Sequence, residues 1–390
     1  MKIIAKEIEN LTAENQLREL LNKRELKGNI RSLTTTDSLI DFFSNDYLGL
    51  AGSQELWQMI RQNYDALGSK KNGATGSRLL SGNSAYCEDL ESYLASIFKA
   101  EATLLFNSGY SANQAVLSSV PQKGDTIIYD EHIHACIKEG ARLSFARQYS
   151  FKHNDTVDLT KKLDRSEGNI FVVVESVYSM DGNAGQIQEI LAVCKAYGAS
   201  LIVDEAHSTG VMGAGGNGLV CSLGLEKEVF LRIYTFGKGM GVHGACVAGA
   251  QLVRDYLINF ARSFIYTTAL PAHSLVSIRS AFDYLQDHLV LQDQLHTIAN
   301  YFDLKAREYP FKNSGNYFLC NKSAIKALIV PGNHKAKALA MSLQAEGFNV
   351  RPILSPTVKA GGERIRICLH AFNTKNEIDQ FFNVLYKNAL

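Results

Sequence analysis

Short apolar runs alternate with helical patterns along the chain from about residue 100 onward. Each run is four or five residues long and mostly apolar, which is typical of strands buried on both faces of a mostly parallel sheet. Helical segments between such strands supply the crossover connections of an α/β domain. The runs that we predict to be strands are 102–106, 126–129, 170–174, 200–203, 230–234 and 245–248.

The pattern changes toward both ends of the chain. Residues 1 to about 40 predict an amphipathic helix followed by a polar turn, because Leu17, Leu20 and Leu21 recur at helical spacing. Residues 272–305 predict one long helix. A series of strand, helix, strand, strand and helix follows it, over 325–330, 335–346, 348–351, 364–368 and 375–387.

These changes divide the chain into three expected parts. We expect an N-terminal helix and arm over 1–45, a large α/β domain over 46–285 and a smaller α+β domain over 286–390. The length of 390 residues agrees with this division, because single hydrophobic cores stop growing beyond about 250–300 residues.

Composition and charge exclude several classes of protein. Hydrophobic residues make up 46% of the chain and charged residues 20%, an ordinary balance for a globular protein. The 40 Lys and Arg residues against 39 Asp and Glu leave a formal net charge of +1. A nearly neutral chain has no general attraction for nucleic acid or for an anionic membrane. We therefore expect neither as a partner.

The seven cysteines include no C-x-x-C pair. Their odd number and spacing argue against a disulfide framework or a zinc ribbon, and they favour a reducing compartment. The first residues, MKIIAKEIENLTAENQ, carry charges where a signal peptide has its apolar core. No run approaches the roughly 18 apolar residues of a membrane helix. We therefore expect no signal peptide, no membrane span and a cytoplasmic location.

Polar side chains follow several of the predicted strands at the point where each strand ends. They are Asn107, Ser108, Gly109 and Tyr110 after the first run, Glu175 after the third, Asp204, Glu205 and His207 after the fourth, and Thr235 and Lys238 after the fifth. In doubly wound sheets, ligands bind beyond the carboxyl ends of the strands. Any one of these residues could simply belong to a polar loop, but the set together indicates one site.

Lys238 indicates the chemistry of that site. It lies in the segment 234–241 (YTFGKGMG), where small neighbours allow a ligand to approach its nitrogen. A desolvated lysine can lose its proton and attack a carbonyl carbon, although spacing alone also permits a solvated loop lysine. A buried Asp204 would need a partner. Pyridoxal phosphate offers both a carbonyl for the lysine and a pyridinium nitrogen for the carboxylate.

A phosphate site is also predicted. The residues Ser108, Gly109 and Tyr110 precede the predicted helix 111–119. Free N–H groups and the positive end of the helix dipole would hold a dianion there. Thr235, three residues before Lys238, could add a hydroxyl donor.

Other motifs suggest alternatives. G-x-G-x-x-G occurs at 213–218 and at 239–244, but the first copy follows a loop and the second leads into a strand, so neither has the dinucleotide-binding context. His132, His134 and Cys136 alternate and could share one strand face, which would suit a transition metal. A flat ring stacked on a flat cofactor explains His134 equally well, and we expect no metal.

Six motifs in order carry a family resemblance, which extends from about Arg31 to the C-terminus. They are 43–50 (FSNDYLGL), 106–113 (FNSGYSAN), 153–155 (HND), 175–182 (ESVYSMDG), 203–210 (VDEAHSTG) and 235–239 (TFGKG). The chain thereby resembles the α-oxoamine synthases, which are pyridoxal-phosphate enzymes. The resemblance implies an α/β fold of the aspartate-aminotransferase type (fold type I), with a mostly parallel sheet in the large domain and a smaller α+β C-terminal domain.

The resemblance also implies roles for individual residues. Lys238 would hold the cofactor covalently, Asp204 would face its pyridine nitrogen, His207 would bind its ring oxygen and His134 would stack on its ring. These four would be the catalytic set. The further cofactor-binding residues would be Ser108, Gly109, Tyr110, Glu175, Ser179 and Thr235, with Thr267 or Thr268 reaching the phosphate of the other subunit. The resemblance thus implies a homodimer with shared active sites.

For the substrates, the resemblance assigns Asn45 and Arg366 to the amino-acid carboxylate. Arginine suits a bidentate grip on that group. Arg31 and Thr357 fall where the family places residues for the acyl substrate. Cys87 stands where members commonly carry histidine, and we interpret it as a buried packing residue.

The implied reaction is the decarboxylative condensation of an amino acid with an acyl thioester, which releases carbon dioxide and a thiol. The chain is most similar to the members that join L-alanine to a pimeloyl group, carried by coenzyme A or by a carrier protein, in biotin biosynthesis. Alternatives within the family are the condensation of glycine with acetyl-CoA, the synthesis of 5-aminolevulinate and the condensation of serine with a palmitoyl thioester. An aminotransferase of the same fold and a non-catalytic scaffold are further alternatives.

Overall fold

The computed structural model describes residues 13–33, 35, 38–308, 311 and 315–389. The first twelve residues of the expected N-terminal arm, and with them most of the segment that the signal-peptide prediction concerns, lie outside the described residues. In the part of the chain that is described, no helix is both long enough and apolar enough to cross a membrane.

A seven-stranded sheet forms the centre of the molecule, with the order β2-β8-β7-β6-β5-β3-β4. Only β8 runs antiparallel to its neighbours, so the sheet is mostly parallel, as predicted. The strands are β2 (Ala102–Phe106), β3 (Thr126–Asp130), β4 (Arg147–Phe151), β5 (Ile170–Glu175), β6 (Ser200–Asp204), β7 (Leu231–Thr235) and β8 (Ala245–Gly249).

Helices cover both faces of this sheet. Successive strand residues point to opposite faces, so Ile127 and Ile128 on β3 enter two different apolar clusters. One cluster packs under α4 (Gly109–Ser119) and the other under α7 (Ile187–Ala196). Each fully buried side chain of this size contributes about 1.5–3 kcal/mol. The remaining helices near this sheet are α2 (Gln54–Asp65), α3 (Ala85–Ile97), α5 (Ala135–Leu143), α6 (Thr156–Leu163), α8 (Gly218–Ser222), α9 (Gln251–Phe260), α10 (Arg262–Ile265) and α11 (Ala272–Asp287).

The C-terminal part forms a second, antiparallel sheet of four strands in the order β12-β13-β10-β9. Its strands are β9 (Tyr317–Phe318), β10 (Ile325–Ile329), β12 (Arg351–Ile353) and β13 (Arg364–Cys368). A separate pair joins β1 (Ile40–Asp41) to β11 (Phe348–Asn349). The helices of this part are α12 (Val290–Glu308), α13 (Asn333–Ala345) and α14 (Lys375–Ala389). Together with the central sheet, this arrangement is the fold of type I that the resemblance implied.

Two predictions about the elements were wrong, and the strand β4 was missed. The single helix expected over 272–305 is two helices, α11 and α12, separated by His288 in a non-helical conformation (φ −129°, ψ 43°). The strand expected over 348–351 is divided between β11 and β12, which pair with different partners. The strand β4 was not predicted, because four of its five residues are exposed and carry no apolar signal.

The predicted N-terminal helix is present as α1 (Ala13–Leu26), and none of its residues is buried. Leu17, Leu20 and Leu21 share one side of it and are 60%, 53% and 55% exposed in the single chain. The amphipathic pattern therefore predicted the helix correctly, although the described chain does not cover its apolar side.

Candidate active site

The carboxyl ends of three neighbouring strands bring the predicted polar residues together. In the parallel register of β5 and β6, Glu175 lies directly opposite Asp204. The next strand, β7, ends at Thr235, and Lys238 follows three residues later. Because parallel strands end at the same edge of a sheet, these side chains meet there, as the sequence predicted.

Lys238 is bound to His207 at this edge. Its Nζ lies 2.8 Å from Nε2 of His207. Burial lowers the pKa of Lys238, while the carboxylates of Asp204 and Glu175 oppose that shift. Burial also lowers the pKa of His207 well below its usual value, and the charge of Lys238 adds to the shift. The site therefore favours a neutral imidazole beside an amine that loses its proton more easily than a solvated lysine.

Asp204 is 5% exposed and held in place by two donors. The side-chain Nδ2 of Asn113 donates to Oδ2 at 2.6 Å, and the backbone N–H of Ala206 donates to Oδ1 at 2.8 Å. A carboxylate can accept about four hydrogen bonds, so Asp204 keeps the capacity to bind one further positively charged or donating group.

Glu175 is a second buried carboxyl group, 3% exposed, and is bound to the loop that carries His134. Its Oε1 accepts a hydrogen bond from the backbone N–H of His134 at 2.5 Å. Burial, followed by the nearby charge of Asp204, raises the pKa of Glu175 to about 8. Near neutral pH it is therefore largely protonated, and it positions the loop at residue 134.

His134 is the residue that precedes α5, and its ring is exposed at the site. Its Nδ1 accepts the backbone N–H of Cys136 at 3.2 Å, and partial burial together with Lys238 lowers its pKa. The alternative of a shared strand face with His132 and Cys136 was wrong, because β3 ends at Asp130. Among the described residues, no group of three or more His, Cys, Asp or Glu side chains could hold a metal ion.

The predicted phosphate site is the first turn of α4. The helix begins at Gly109, two residues earlier than predicted, and Ser108 caps it, accepting from the N–H of Ser111 at 3.2 Å. The first N–H groups of a helix have no acceptor within it, so those of Gly109 and Tyr110 are available. A Cβ atom at Gly109 would overlap the hydroxyl of Thr235. Glycine is therefore required here for the helix to reach Thr235.

The proposed carboxylate grip joins Arg366, on β13, to two segments far from it in sequence. Its Nη2 donates to Oδ1 of Asn45 at 2.9 Å, and its Nε donates to the backbone carbonyl of Ser179 at 2.7 Å. Arg366 is only 5% exposed. Ser179 thus contributes its backbone to the arginine, which the sequence had not indicated.

Four predicted residues lie away from this cluster or at its surface. Thr267 is partly buried, and Thr268, which is exposed, accepts a hydrogen bond from Nδ2 of Asn107 through its backbone carbonyl at 2.9 Å. Arg31 and Thr357 are exposed.

The segments of Arg31 and Thr357 nevertheless adjoin each other. Nδ2 of Asn29 donates to the carbonyl of Ser355 at 3.5 Å, which brings the two chain segments side by side.

Sequence reasoning missed two residues of the site. Asn113 binds Asp204 directly, and the hydroxyl of Tyr47 lies 2.7 Å from Nδ1 of His207. Both stood inside motifs that carried the family resemblance, but a motif alone does not show which neighbour a side chain contacts.

The geometry fits pyridoxal phosphate. Lys238 would hold the carbonyl carbon, Asp204 the pyridine nitrogen and His207 the ring oxygen, while the first turn of α4 with Thr235 would hold the phosphate. The donor set supports this fit, because a buried carboxylate with spare capacity, an amine with a lowered pKa and a helix start that requires glycine adjoin one sheet edge.

Comparison with known proteins agrees with this assignment. The model of the family "aminotransferase class I and II" matches residues 37–385. The 8-amino-7-oxononanoate synthase of Emericella nidulans is 42% identical over 94% of this chain and 93% of its own length. That of Marinobacter nauticus is 34% identical over 100% of this chain and 96% of its own.

Solved structures show the same likeness. A serine palmitoyltransferase from Sphingomonas wittichii superimposes with a TM-score of 0.87 at 27% identity, covering 97% of this chain and 98% of that one. The 8-amino-7-oxononanoate synthase of Francisella tularensis superimposes with a TM-score of 0.76 at 28% identity, covering 90% and 98%. The chain therefore belongs to the aminotransferase class I and II family, and its expected resemblance to the α-oxoamine synthases is confirmed.

Proposed function

We propose that this protein is a pyridoxal-phosphate-dependent acyltransferase that condenses L-alanine with a pimeloyl thioester. The products are 8-amino-7-oxononanoate, carbon dioxide and the free thiol, in biotin biosynthesis. The observation that carries the chemistry is the placement of Lys238, which lies 2.8 Å from His207 and near enough to two buried carboxyl groups for both to act on its pKa. The curated relatives named 8-amino-7-oxononanoate synthase support the choice of substrates.

Lys238 carries out the proton transfers in this proposal. Pyridoxal phosphate, when bound, supplies an electron sink for the α-carbon of the amino acid. Because its pKa is lowered, Lys238 can be unprotonated and remove the α-proton, and it can return a proton after carbon dioxide has left. Asp204 would keep the pyridine nitrogen protonated, which strengthens the withdrawal of electrons.

Arg366 and Asn45 would orient the amino acid. The guanidinium of Arg366 is already fixed by Ser179 and Asn45, so little conformational freedom is lost when it takes a carboxylate. Its burial strengthens the charge-assisted hydrogen bonds to that carboxylate. Arg31 and Thr357, whose segments adjoin each other, would contact the acyl substrate. Coenzyme A or a carrier protein would bring the acyl group.

The remaining parts of the proposal concern the assembly. We propose three parts, 1–45, 46–285 and 286–390, the last boundary lying near the end of α11. We also propose a cytoplasmic homodimer in which Thr267 or Thr268 reaches the phosphate in the other subunit. The partly buried and exposed positions of these two residues in the single chain leave them accessible to a second subunit.

A second candidate is the condensation of serine with a palmitoyl thioester. It is favoured by the TM-score of 0.87 to the Sphingomonas wittichii serine palmitoyltransferase, which exceeds the 0.76 to the Francisella tularensis 8-amino-7-oxononanoate synthase. The relatives identified by sequence are named 8-amino-7-oxononanoate synthase and favour alanine and a pimeloyl thioester instead.

A thiol-release assay tests the proposal. Alanine, glycine and serine are each combined with pimeloyl-CoA, a pimeloyl-carrier protein, acetyl-CoA and palmitoyl-CoA, and the free thiol and the carbon dioxide are measured. We expect both products only with alanine and one of the two pimeloyl thioesters. Release with serine and palmitoyl-CoA would establish the second candidate, and release with glycine and acetyl-CoA would establish a 2-amino-3-ketobutyrate ligase. Amino transfer to a keto acid without carbon dioxide would reject the whole class.

A further inference from the structure

The hydroxyl group of Tyr47 contacts two side chains of the site, His207 beside Lys238 and Asn45 beside Arg366. The hydroxyl oxygen is 2.7 Å from Nδ1 of His207 and 3.1 Å from Oδ1 of Asn45. Tyr47 is 1% exposed, so bulk water does not compete for these contacts. Hydrogen bonds in such a dry environment are stronger and influence one another.

Only one of these two acceptors can receive the hydroxyl proton at a time. A tyrosine hydroxyl carries a single proton, and Oδ1 of Asn45 can accept but not donate. When Tyr47 donates to Nδ1 of His207, the neutral imidazole must carry its own proton on Nε2. When Tyr47 donates to Asn45 instead, the imidazole donates to Tyr47 from Nδ1 and has a bare Nε2.

The two arrangements differ in whether Nε2 carries a proton, and Nε2 is the ring atom that lies 2.8 Å from Nζ of Lys238. A proton on Nε2 is donated to the lysine nitrogen and stabilises its unprotonated form. A bare Nε2 accepts from the lysine nitrogen and stabilises its protonated form. The direction of the Tyr47 hydroxyl therefore biases the protonation of Lys238.

Asn45 links this hydroxyl to the carboxylate grip. Its Oδ1 also accepts from Nη2 of Arg366, at 2.9 Å. Any ligand that draws Nη2 away from Asn45 changes how strongly Asn45 competes for the proton of Tyr47. We propose that Tyr47 is a positioning residue that couples the Arg366–Asn45 pair to Lys238 by selecting the tautomer of His207. The coupling rests on the proposed function only in that it assigns Arg366 to the substrate carboxylate.

Several other ionisable groups act on the same three side chains. Those that act on Lys238 are Asp204, Glu175, Arg366, Cys136, His134 and Cys368. Those that act on His207 are Lys238, Arg366 and His134, and those that act on Tyr47 are Cys368 and Arg366. None of these groups is replaced in the variants below, but Asn45→Ala removes a hydrogen-bond partner of Arg366. The double variant loses the same partner, so comparison with it separates the influence of Arg366 from that of Tyr47.

The test is a set of four proteins: the wild type, Tyr47→Phe, Asn45→Ala and the double variant. Each is prepared without cofactor, pyridoxal phosphate is added at a series of pH values, and the rate at which the visible absorbance of the bound cofactor appears is measured without any substrate. The midpoint of the pH dependence of this rate reports the protonation of the free Lys238 amine. Since no amino acid or thioester is present, a wrong choice of substrates would leave this test unaffected. We expect Tyr47→Phe to raise the midpoint, because the donor that keeps the proton on Nε2 is lost.

Asn45→Ala should have the opposite effect and lower the midpoint, because Tyr47 then donates to His207 alone. Each change should correspond to about a threefold to tenfold change in the proton-dissociation constant, the size expected from one hydrogen bond. In the double variant, Asn45→Ala should have no further effect beyond that of Tyr47→Phe. A merely structural role for Tyr47 would not produce opposite signs.

Tyr234→Phe is the matched control. Its hydroxyl is also fully buried, but it contacts Arg232 and the carbonyl of Asn217 instead of His207. It should leave the midpoint unchanged. An effect of Asn45→Ala that persists in the Tyr47→Phe background would overturn the coupling. So would an unchanged midpoint in Asn45→Ala, which decides the matter even if Tyr47→Phe does not fold.

Discussion

Nε2 of His207 and Nζ of Lys238 lie 2.8 Å apart, although the two residues follow different strands of the central sheet. The imidazole is buried and its pKa is lowered, so it is neutral when the lysine is charged. Their contact is therefore a hydrogen bond whose direction depends on the proton of Lys238, and the predictions below start from this lysine.

Replacing Lys238 should abolish both the colour and the reaction. Lys238→Ala removes the amine that would bind the cofactor's carbonyl in the proposed site, so the absorbance of the bound cofactor should shift to that of a non-covalent form. Thiol release should fall below detection. Lys238→Arg should fail in the same way, because a guanidinium does not lose its proton in proteins.

The control for this experiment is Lys70→Ala, which removes an exposed lysine that pairs with Asp65. It should retain the colour and the turnover of the wild type. Full thiol release by Lys238→Ala would contradict the assignment of this lysine.

Replacing Arg366 should weaken the binding of the amino acid and leave the cofactor bound. Arg366→Ala removes the charged donor that is held by Ser179 and Asn45. Because charge-assisted hydrogen bonds are lost, we expect the Kd of alanine to rise about 10- to 100-fold, as measured from the change in cofactor absorbance when alanine is added. The visible absorbance before alanine is added should be retained, with only its pH dependence shifted, because Arg366 also acts on Lys238. An unaltered Kd would reject the proposed grip on the carboxylate.

The acidity of Glu175 predicts how the stability of the cofactor-free protein depends on pH. Its pKa is about 8 in the folded chain and near 4.5 when solvated. Between these values the folded state binds more protons than the unfolded state, so this group makes stability fall as pH rises. Lys238 and His207, whose pKa values are lowered, act in the opposite direction.

The contribution of Glu175 therefore has to be measured as a difference. Glu175→Gln keeps an oxygen that can accept from the N–H of His134 but cannot ionise. The Tm of Glu175→Gln minus the Tm of the wild type should increase steadily from pH 5 to pH 8. A constant difference over this range would contradict the raised pKa of Glu175 in the folded state.

A buried ion-pair network should contribute strongly to stability. Glu91 is 3% exposed and binds two arginines, Arg78 at 2.7 Å and Arg254 at 2.9 Å. Glu91→Gln removes the negative charge that both cations share, while Arg254 retains a longer contact with Asp255 at 3.7 Å. Breaking a buried pair in this way costs about 3–5 kcal/mol. The midpoint of urea unfolding should fall accordingly. Asp65→Asn, at the exposed pair with Lys70, should hardly move it.

Reaction with thiol reagents should distinguish one cysteine from the other six. Cys320 is exposed, whereas Cys87 and the rest are buried. Burial raises the pKa of Cys87 to about 12, so that its thiolate is scarce at pH 8. The native protein should show one fast equivalent with a chromogenic disulfide reagent, and Cys320→Ser should remove it. Cys87→Ser should leave the fast phase intact, and its loss would show that Cys87 is accessible.

Local pattern in the sequence was sufficient to predict much of the central sheet. The runs at 170–174 and 200–203 are mostly apolar, and they form β5 and β6 with one added residue each, Glu175 and Asp204. A polar residue at the end of a buried strand marks the sheet edge where a ligand binds. The prediction failed for β4, whose exposed residues have no such pattern.

The sequence by itself determined most strands of the central sheet, the polar residues at their ends and the lysine that follows β7, because these depend on neighbours a few positions away. Only the tertiary structure decided which of these groups touch. Tyr47 meets His207 across 160 residues, and Arg366 meets Asn45 across 321. Such contacts depend on how β1, β13 and the central sheet pack together. The energy of that packing comes from many side chains that are far apart in the sequence, so no single segment predicts it.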